Sequence, residues 1–540
     1  MTIMDKEDEL LVNNRKKIKK QKSKKRSKAI KTSTPNQERN IKQNNTQKEK
    51  HKKHGTFKYK LISFLLIILT VVTLSNVLIE EIFSLFYLIP IAVVSIAIVL
   101  LIAFILNKRN LRRWIKNFIS IIAVLIMVFE LLMLFFGTKT LKFLSSITDT
   151  GYRVETFGIY VLNDSQYKDV DELNNKNLAY LNHDDNKNIK QALRKIEKQI
   201  AINTSSKNNA NDLVDELLNH KVEAILMDTS YEVLLEEEQI EKYQKLRLLE
   251  TIDIVDVVNT IKSDADITKD PFVVYISGID TSGNVASKAR SDVNMLVAVN
   301  PTTKNILMIN TPRDYYITLN GKGKKDKLTH AGLYGVEESV NSLSSLYDTD
   351  IDYYVRINFT SFVKIVDELG GIKVNVPIRF CEQNSKRSKA PQDLICLNKG
   401  LQNLNGEQAL ALSRHRKTLP TGDRGRGENQ MLVLEAIVNK AMSPKIISSY
   451  SSLIDVLKGR ITTNMTSNEI IKFAKKQIKD LDAWEFNSLS ATGSDSSGVC
   501  YATGSGKAYV MEPDSSSVER IKNALDRLFA SEKDIIVENN

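Results

Sequence analysis

The sequence predicts an α/β protein: a mixed central sheet flanked by helices, preceded by a small α/β unit and by three membrane-crossing helices. Three observations predict it. From Phe272 onward, short β-rich runs alternate with helical periodicity, the pattern of a sheet covered on both faces. Between residues 61 and 136, three apolar runs (61–79, 85–106 and about 115–136) each come close to the roughly 20 residues that cross a bilayer as helix. The charge is also uneven: residues 1–60 hold 20 Lys and Arg against 6 Asp and Glu, so the net +12 belongs to that tail and the remainder sums to −2.

Residues 1–60 read as a disordered basic tail, because a polar, cationic stretch cannot bury enough apolar area to fold. Orientation follows from the cations. Lysines precede the first span, and Lys108, Arg109, Arg112 and Arg113 separate the second from the third, whereas the first link carries Glu80 and Glu81. This places the N-terminus in the cytoplasm, spans the membrane over 61–136, and puts residues 137–540 outside the cell. The tail is expected to lie on anionic membrane lipids and not on nucleic acid, since it lacks a recognition helix. Glu130, inside the third span, reads as a carboxylate reaching for the outer headgroups, with a polar partner within the membrane as the alternative.

Two units follow outside. Residues 150–262 read as an accessory α/β domain without catalytic spacing: a strand near 157–162, a helix at 188–200, a strand at 224–228 and a helix at 231–246. A polar linker, 262–270, ends at Pro271. The second unit, 271–540 with its core at about 271–440 and a C-terminal α/β flank, shows strands at 272–277, 295–299, 306–309, 353–357 and 372–376. Its helices fall at 335–346, 360–369 and 406–412. Cys381 and Cys396 bracket a hydrophilic loop that a disulfide would restrain, or they are two buried thiols; Cys500 has no assigned role.

The chemistry concentrates near strand ends. Asp280 follows one strand and Asp292, in Arg290-Ser291-Asp292, precedes the next, so the two carboxylates can share a sheet edge and hold Mg²⁺. A turn cap and an ion pair to Arg290 are the plainer roles. Arg313, in Thr311-Pro312-Arg313-Asp314, leaves a strand end where α/β sheets place ligands, or pairs with Asp314. Lys327 is a weaker phosphate contact, and His330 reads as a helix-start residue. Arg414 and Arg416 can face one cleft only past a helix end, and Gln430 lies one helical turn after Arg426. Residues 137–540 carry about −4 net, so these arginines are not part of a basic surface. Guanidinium forks of this kind suit bidentate gripping of phosphate oxygens.

Taken in order, Gly278-Ile279-Asp280, Arg290-Ser291-Asp292, Met295 through Pro301, Thr311 through Asp314, Leu404 through Ala411, Arg414-His415-Arg416 and Asp423 through Gln430 resemble the LytR-CpsA-Psr family of wall enzymes. The similarity is greatest to its capsule-associated branch, which has three spans and an accessory domain. The resemblance implies a phosphotransferase that moves an undecaprenyl-pyrophosphate-linked polysaccharide, capsular or teichoic, onto peptidoglycan, with other capsule-assembly proteins as partners. It implies Mg²⁺ (or Mn²⁺) at Asp280 and Asp292, and catalytic roles for Asp280, Asp292 and Arg313. Head-group binding falls to Arg290, Arg313, Arg414, Arg416, Arg426 and Gln430. Many members carry arginine where this chain has Asn429. An apolar groove for the prenyl chain is expected beside the arginines, with Phe359, Phe362, Val363 and Val366 as its wall or as ordinary core. A membrane-bound regulator of transcription or envelope signalling and a lipid pyrophosphatase are the competing functions.

Overall fold

The computed structural model describes residues 57–78, 85–148, 152–182, 186–257, 261–279, 288–386, 388, 390–420, 422–441, 446–458, 460–480, 484–504, 506–532 and 535. Most of the expected tail, up to residue 56, and Asp280 lie outside the described residues. The chain divides into two compact units, Met1–Gly137 and Thr138–Asn540.

In the first unit, Phe57–Leu78, Leu88–Asn107 and the start of Arg113–Ile147 are helices long and apolar enough to cross a membrane. Leu66, Val99, Leu106 and Ala123 form the seam between them. Phe64, Val93, Phe104 and Phe129 point outward, the apolar exterior that a bilayer would cover. Glu130 departs from expectation. It is 9% exposed, and its Oε1 lies 2.7 Å from the Thr70 hydroxyl, so a neighbouring helix supplies its polar partner. The third helix has 35 residues and so runs about 52 Å, well beyond a hydrocarbon core of roughly 30 Å.

The second unit contains two principal sheets. The smaller has five strands in the order 202–207, 176–181, 224–228, 152–162, 246–257. Its first three strands run parallel, and the last two pair antiparallel. The helix expected over 231–246 is broken at Gln239 into Ser230–Glu238 and the short Ile240–Tyr243, and Leu246–Val257 is a strand along the whole length of Tyr152–Leu162. Its core is completed from elsewhere in the chain, by Leu333 and Ala502.

The larger sheet has six strands in the order 461–463, 353–358, 272–279, 291–300, 305–310, 485–490, and is mixed. Phe272–Ile279 lies antiparallel to Ser291–Asn300 and parallel to Tyr353–Asn358. Alternation along it divides the core: Val273 and Tyr275 face the helices Val336–Tyr347 and Ser515–Phe529, while Phe272 and Val274 face Asp423–Ala441 and Ser467–Asp480. Phe272 meets Tyr353 and Phe473 edge-on, each at 5.8 Å. Strands 272–279, 305–310 and 353–358 all end at the edge where 291–300 begins, because Ile279 lies opposite both Ser291 and Asn358 and Asn310 lies opposite Met295. That edge carries the chemistry.

Candidate functional site

Four segments meet at this sheet edge. Ser291-Asp292 opens the antiparallel strand, and its register is set by a bond between the Ser277 and Ser291 hydroxyls (2.8 Å). After Asn310, the turn through Pro312 aims Arg313 back at Asp292, Nη1 to Oδ1 at 2.9 Å. Asn358 caps the helix Phe359–Glu368 by accepting from the Ser361 amide (2.8 Å), which puts Phe359 at the strand end.

The fourth segment is the arginine run. A capping box at Asn405 and Gln408 (2.9 and 3.0 Å) starts the helix Gly406–Arg414, and such a cap contributes about 1 kcal/mol. The helix ends at Arg414, and His415 turns to extended geometry. That break lets Arg414 and Arg416 line the same space despite their spacing of two. His415 stacks on Phe380 at 4.1 Å and bonds Glu382 (3.1 Å) and Thr418 (2.6 Å). It ties the arginine run to a short hairpin, Phe380–Glu382 with Ile395–Leu397, whose facing residues Cys381 and Cys396 are joined by a disulfide. Gly427 sits inside the helix Asp423–Ala441, where an added Cβ would lie 1.8 Å from the Asn310 amide nitrogen. A side chain here would have to displace the buried Asn310 side chain, and this close approach of helix to strand end brings Arg426 and Gln430 to the edge.

A cavity of about 220 Å³ results, lined by Asp292, Arg313, Arg414, Arg416, Arg426 and Gln430, together with Val293, Phe359, Glu382, Gln383, Ser413 and Lys417. Among the described residues, five cations and two carboxylates line it. Burial pushes the Asp292 carboxyl up, but the charges of Arg313, Arg290 and Arg426 outweigh it and hold the group below the ordinary carboxylate range. Arg414 also stands over the Phe359 ring at 5.6 Å.

Two residues expected to bind phosphate lie elsewhere. Arg290 is 5% exposed and absent from the cavity wall, so its charge reaches the site through Asp292. Lys327 Nζ lies 3.8 Å from Asp314, which also receives Arg313 Nε at 3.6 Å, so this lysine serves an ion network beside the cavity. Asn429 donates to the Leu412 carbonyl at 3.2 Å and is 1% exposed, which makes it a buried tie between helices. Lys417, Glu382 and Gln383 were missed. Lys417 extends the visible cationic run, whereas Glu382 and Gln383 reach the wall only because the disulfide hairpin carries them there.

Beside the cationic cavity, and sharing Val293, Phe359, Ser413 and Gln430 with it, lies an apolar slot of about 270 Å³. Phe359 and Phe362 line it with Ile276, Met295, Leu410 and Val433. Val366 instead is fully buried core, and Val363 is not in the wall.

For a divalent cation, the described residues supply Asp292, with Oδ1 already accepting from Arg313 and, at 3.4 Å, from Thr329. Mg²⁺ is commonly held by one or two carboxylates plus substrate phosphates, and Asp292 fits that partial role. Among the described residues, one cluster of metal-ligating types occurs elsewhere: Asp326, His330 and Cys500, all buried. The Asp326 oxygens are occupied by the Lys327 and Ala502 amides (2.7 and 2.8 Å) and by His330 Nδ1 (2.6 Å). With three donors where closed zinc sites use four, the cluster reads as an internal hydrogen-bonded post, and His330 is its satisfied member.

A mixed sheet whose strand ends open on several guanidinium groups, joined to an apolar slot, has the chemistry to hold an anionic head with an apolar tail. The LytR_cpsA_psr family model matches residues 229–525, more than half of the chain, and the chain belongs to that family. A second family model, DNA polymerase processivity factor, matches residues 113–227, which joins the third apolar helix to part of the smaller sheet and covers too little to establish a family. Polyisoprenyl-teichoic acid–peptidoglycan teichoic acid transferase TagU of Bacillus subtilis (strain 168) is 33% identical over 250 residues, 44% of this chain and 76% of that protein. TagT of the same organism, described as the same kind of transferase, is 38% identical over 211 residues, 38% of this chain and 64% of that protein. The crystal structure of B. subtilis TagV is 30% identical and aligns with 49% of this chain and 99% of its own, at a TM-score of 0.41.

Proposed function

We propose that this chain is a membrane-anchored phosphotransferase that joins a polyprenyl-pyrophosphate-linked glycopolymer, capsular polysaccharide or teichoic acid, to peptidoglycan. The observation that carries the reading is the junction of two cavities. The cationic one matches a pyrophosphate and the apolar one matches the first isoprene units of its lipid, and they share a wall at Phe359. The relatives named as teichoic acid transferases support the reaction class. The cytoplasmic placement of the N-terminus, and of the catalytic unit outside the cell, rests on the flanking cations.

In the reaction, a peptidoglycan hydroxyl oxygen bonds to the phosphorus nearest the polymer. The bond from that phosphorus to the bridging oxygen breaks, lipid monophosphate leaves, and the hydroxyl proton passes to a base. Arg313, Arg414, Arg416 and Arg426 bind the diphosphate and stabilise the charge gathering on the leaving phosphate. Gln430, whose amide donates to the Ser413 carbonyl at 3.2 Å, borders both the head group and the prenyl slot. Asp292 orients Arg313; a carboxylate held ionised by three guanidinium groups is a weak base, which leaves Asp280, outside the described residues, for proton removal. Mg²⁺ at Asp292 and the phosphate oxygens would offset charge on the diphosphate.

The test is to supply the full chain in lipid vesicles with a lipid-linked oligosaccharide and a peptidoglycan fragment, with and without Mg²⁺. A covalently joined product supports transfer. Release of phosphorylated oligosaccharide without joining makes the chain a pyrophosphatase, and loss of neither lipid nor polymer rejects both.

A further inference from the structure

We propose that the smaller α/β unit is a brace for the catalytic segment: Glu155, through Lys288, is a positioning residue for Arg290 and Asp292. The inference builds on the proposed transferase site and adds a role for the unit that contributes nothing to the cavity wall. Arg153 and Glu155 stand two apart on Tyr152–Leu162, so both point from one face of that strand. Each is a buried charge, 8% and 6% exposed, and each finds its counter-ion across the junction with the larger sheet. Arg153 Nη2 meets Glu337 Oε1 at 2.6 Å and donates to the Tyr354 hydroxyl at 3.0 Å. Glu155 Oε1 meets Lys288 Nζ at 2.5 Å.

Lys288 stands two residues before Arg290 and four before Asp292, and the chain is held on either side of Arg290. The Ala289 amide donates to the Gly332 carbonyl (3.2 Å), and its own carbonyl accepts from Arg356 (3.1 Å). The Ser291 hydroxyl bonds Ser277, and its carbonyl accepts from Asn294 (2.8 Å). Displacement at Lys288 therefore passes along a segment without slack to the carboxylate that orients Arg313. Adhesion alone would be served more cheaply by apolar contact, because desolvating a lysine and a glutamate opposes their attraction; what a buried pair adds is a defined register.

The test uses the full chain in lipid vesicles, comparing Glu155→Gln, Lys288→Met, the double variant and Lys288→Arg. Glu155→Gln and Lys288→Met are each expected to lower kcat/KM for the lipid-linked donor about tenfold, the double variant to lose no more than either, and Lys288→Arg to recover most of it. Amide hydrogen exchange at residues 289–294 is expected to speed up in Glu155→Gln. Unchanged exchange there, or losses that simply add in the double variant, overturns the brace. The exchange measurement does not depend on catalysis, so it decides the matter even if the wild-type chain transfers nothing.

Discussion

Two places in this molecule gather charge around buried carboxylates, and they resolve it in opposite ways. Where the two sheets meet, the charges form compact internal clusters, Lys288 between the Glu155 and Asp228 carboxylates and Arg153 with Arg356 about Glu337. At the edge of the larger sheet, five cations share a cavity with two carboxylates, and one of those, Asp292, already feels three guanidinium charges. The junction is filled from within, whereas the edge, with Arg416 and Lys417 exposed and its guanidinium forks lining a cavity, can receive an anion.

The sharpest way to break the contrast is to remove the arginines of the edge. Arg414→Ala and Arg426→Ala are each expected to reduce transfer by about 10²–10³-fold, the cost of removing one donor aimed at developing charge. Arg414→Lys is expected to recover little, because a point charge does not reproduce a fork. Steady-state rates check both. Next in size is the slot: Phe362→Ala enlarges a lining position and is expected to raise KM for a long-chain polyprenyl donor about tenfold while a one- or two-isoprene analogue binds as before, shown by comparing the two donors.

The disulfide sharpens the account from the side of the wall. Cys381→Ser with Cys396→Ser opens a loop of sequence separation 15. By the chain-entropy argument this costs about 3 kcal/mol, read from denaturant unfolding, with a several-fold loss of activity as Glu382 and Gln383 loosen. The smallest effect expected is with pH. Because Asp292 is held below its unfolded value of roughly 3.9, its stabilising contribution is present above that value and lost as pH falls through the lower folded one. Donor affinity is therefore expected to show no step from Asp292 between about pH 5 and 8, which a calorimetric pH series checks.

Four strands of the larger sheet were legible because they are short apolar runs with punctuating turns; its order was not, since 272–279 pairs with the distant 353–358, and 461–463 and 485–490 complete the edges. Leu246–Val257 went unassigned since its charged residues, Arg247, Glu250, Asp253 and Asp256, mask the alternation that pairs it with Tyr152–Leu162. The arginine run was visible as chemistry, but its geometry was not. Gly425 and Gly427 argue against helix in isolation, yet both lie within Asp423–Ala441, where Gly427 packs against Asn310. Arg290 and Lys327 show the converse limit. Residue type marked them as phosphate ligands, yet both stand off the described cavity wall, Arg290 buried and Lys327 3.8 Å from Asp314.

The central claim is that converging guanidinium groups hold a diphosphate whose lipid lies in the adjoining slot. Isothermal titration of the full chain in detergent with a short polyprenyl pyrophosphate, and with the matching monophosphate, tests it directly. The account predicts markedly tighter binding of the pyrophosphate by the wild type, with that preference lost in the Arg414→Ala/Arg426→Ala double variant. Equal affinity for both lipids, or a preference that survives the double substitution, would contradict it.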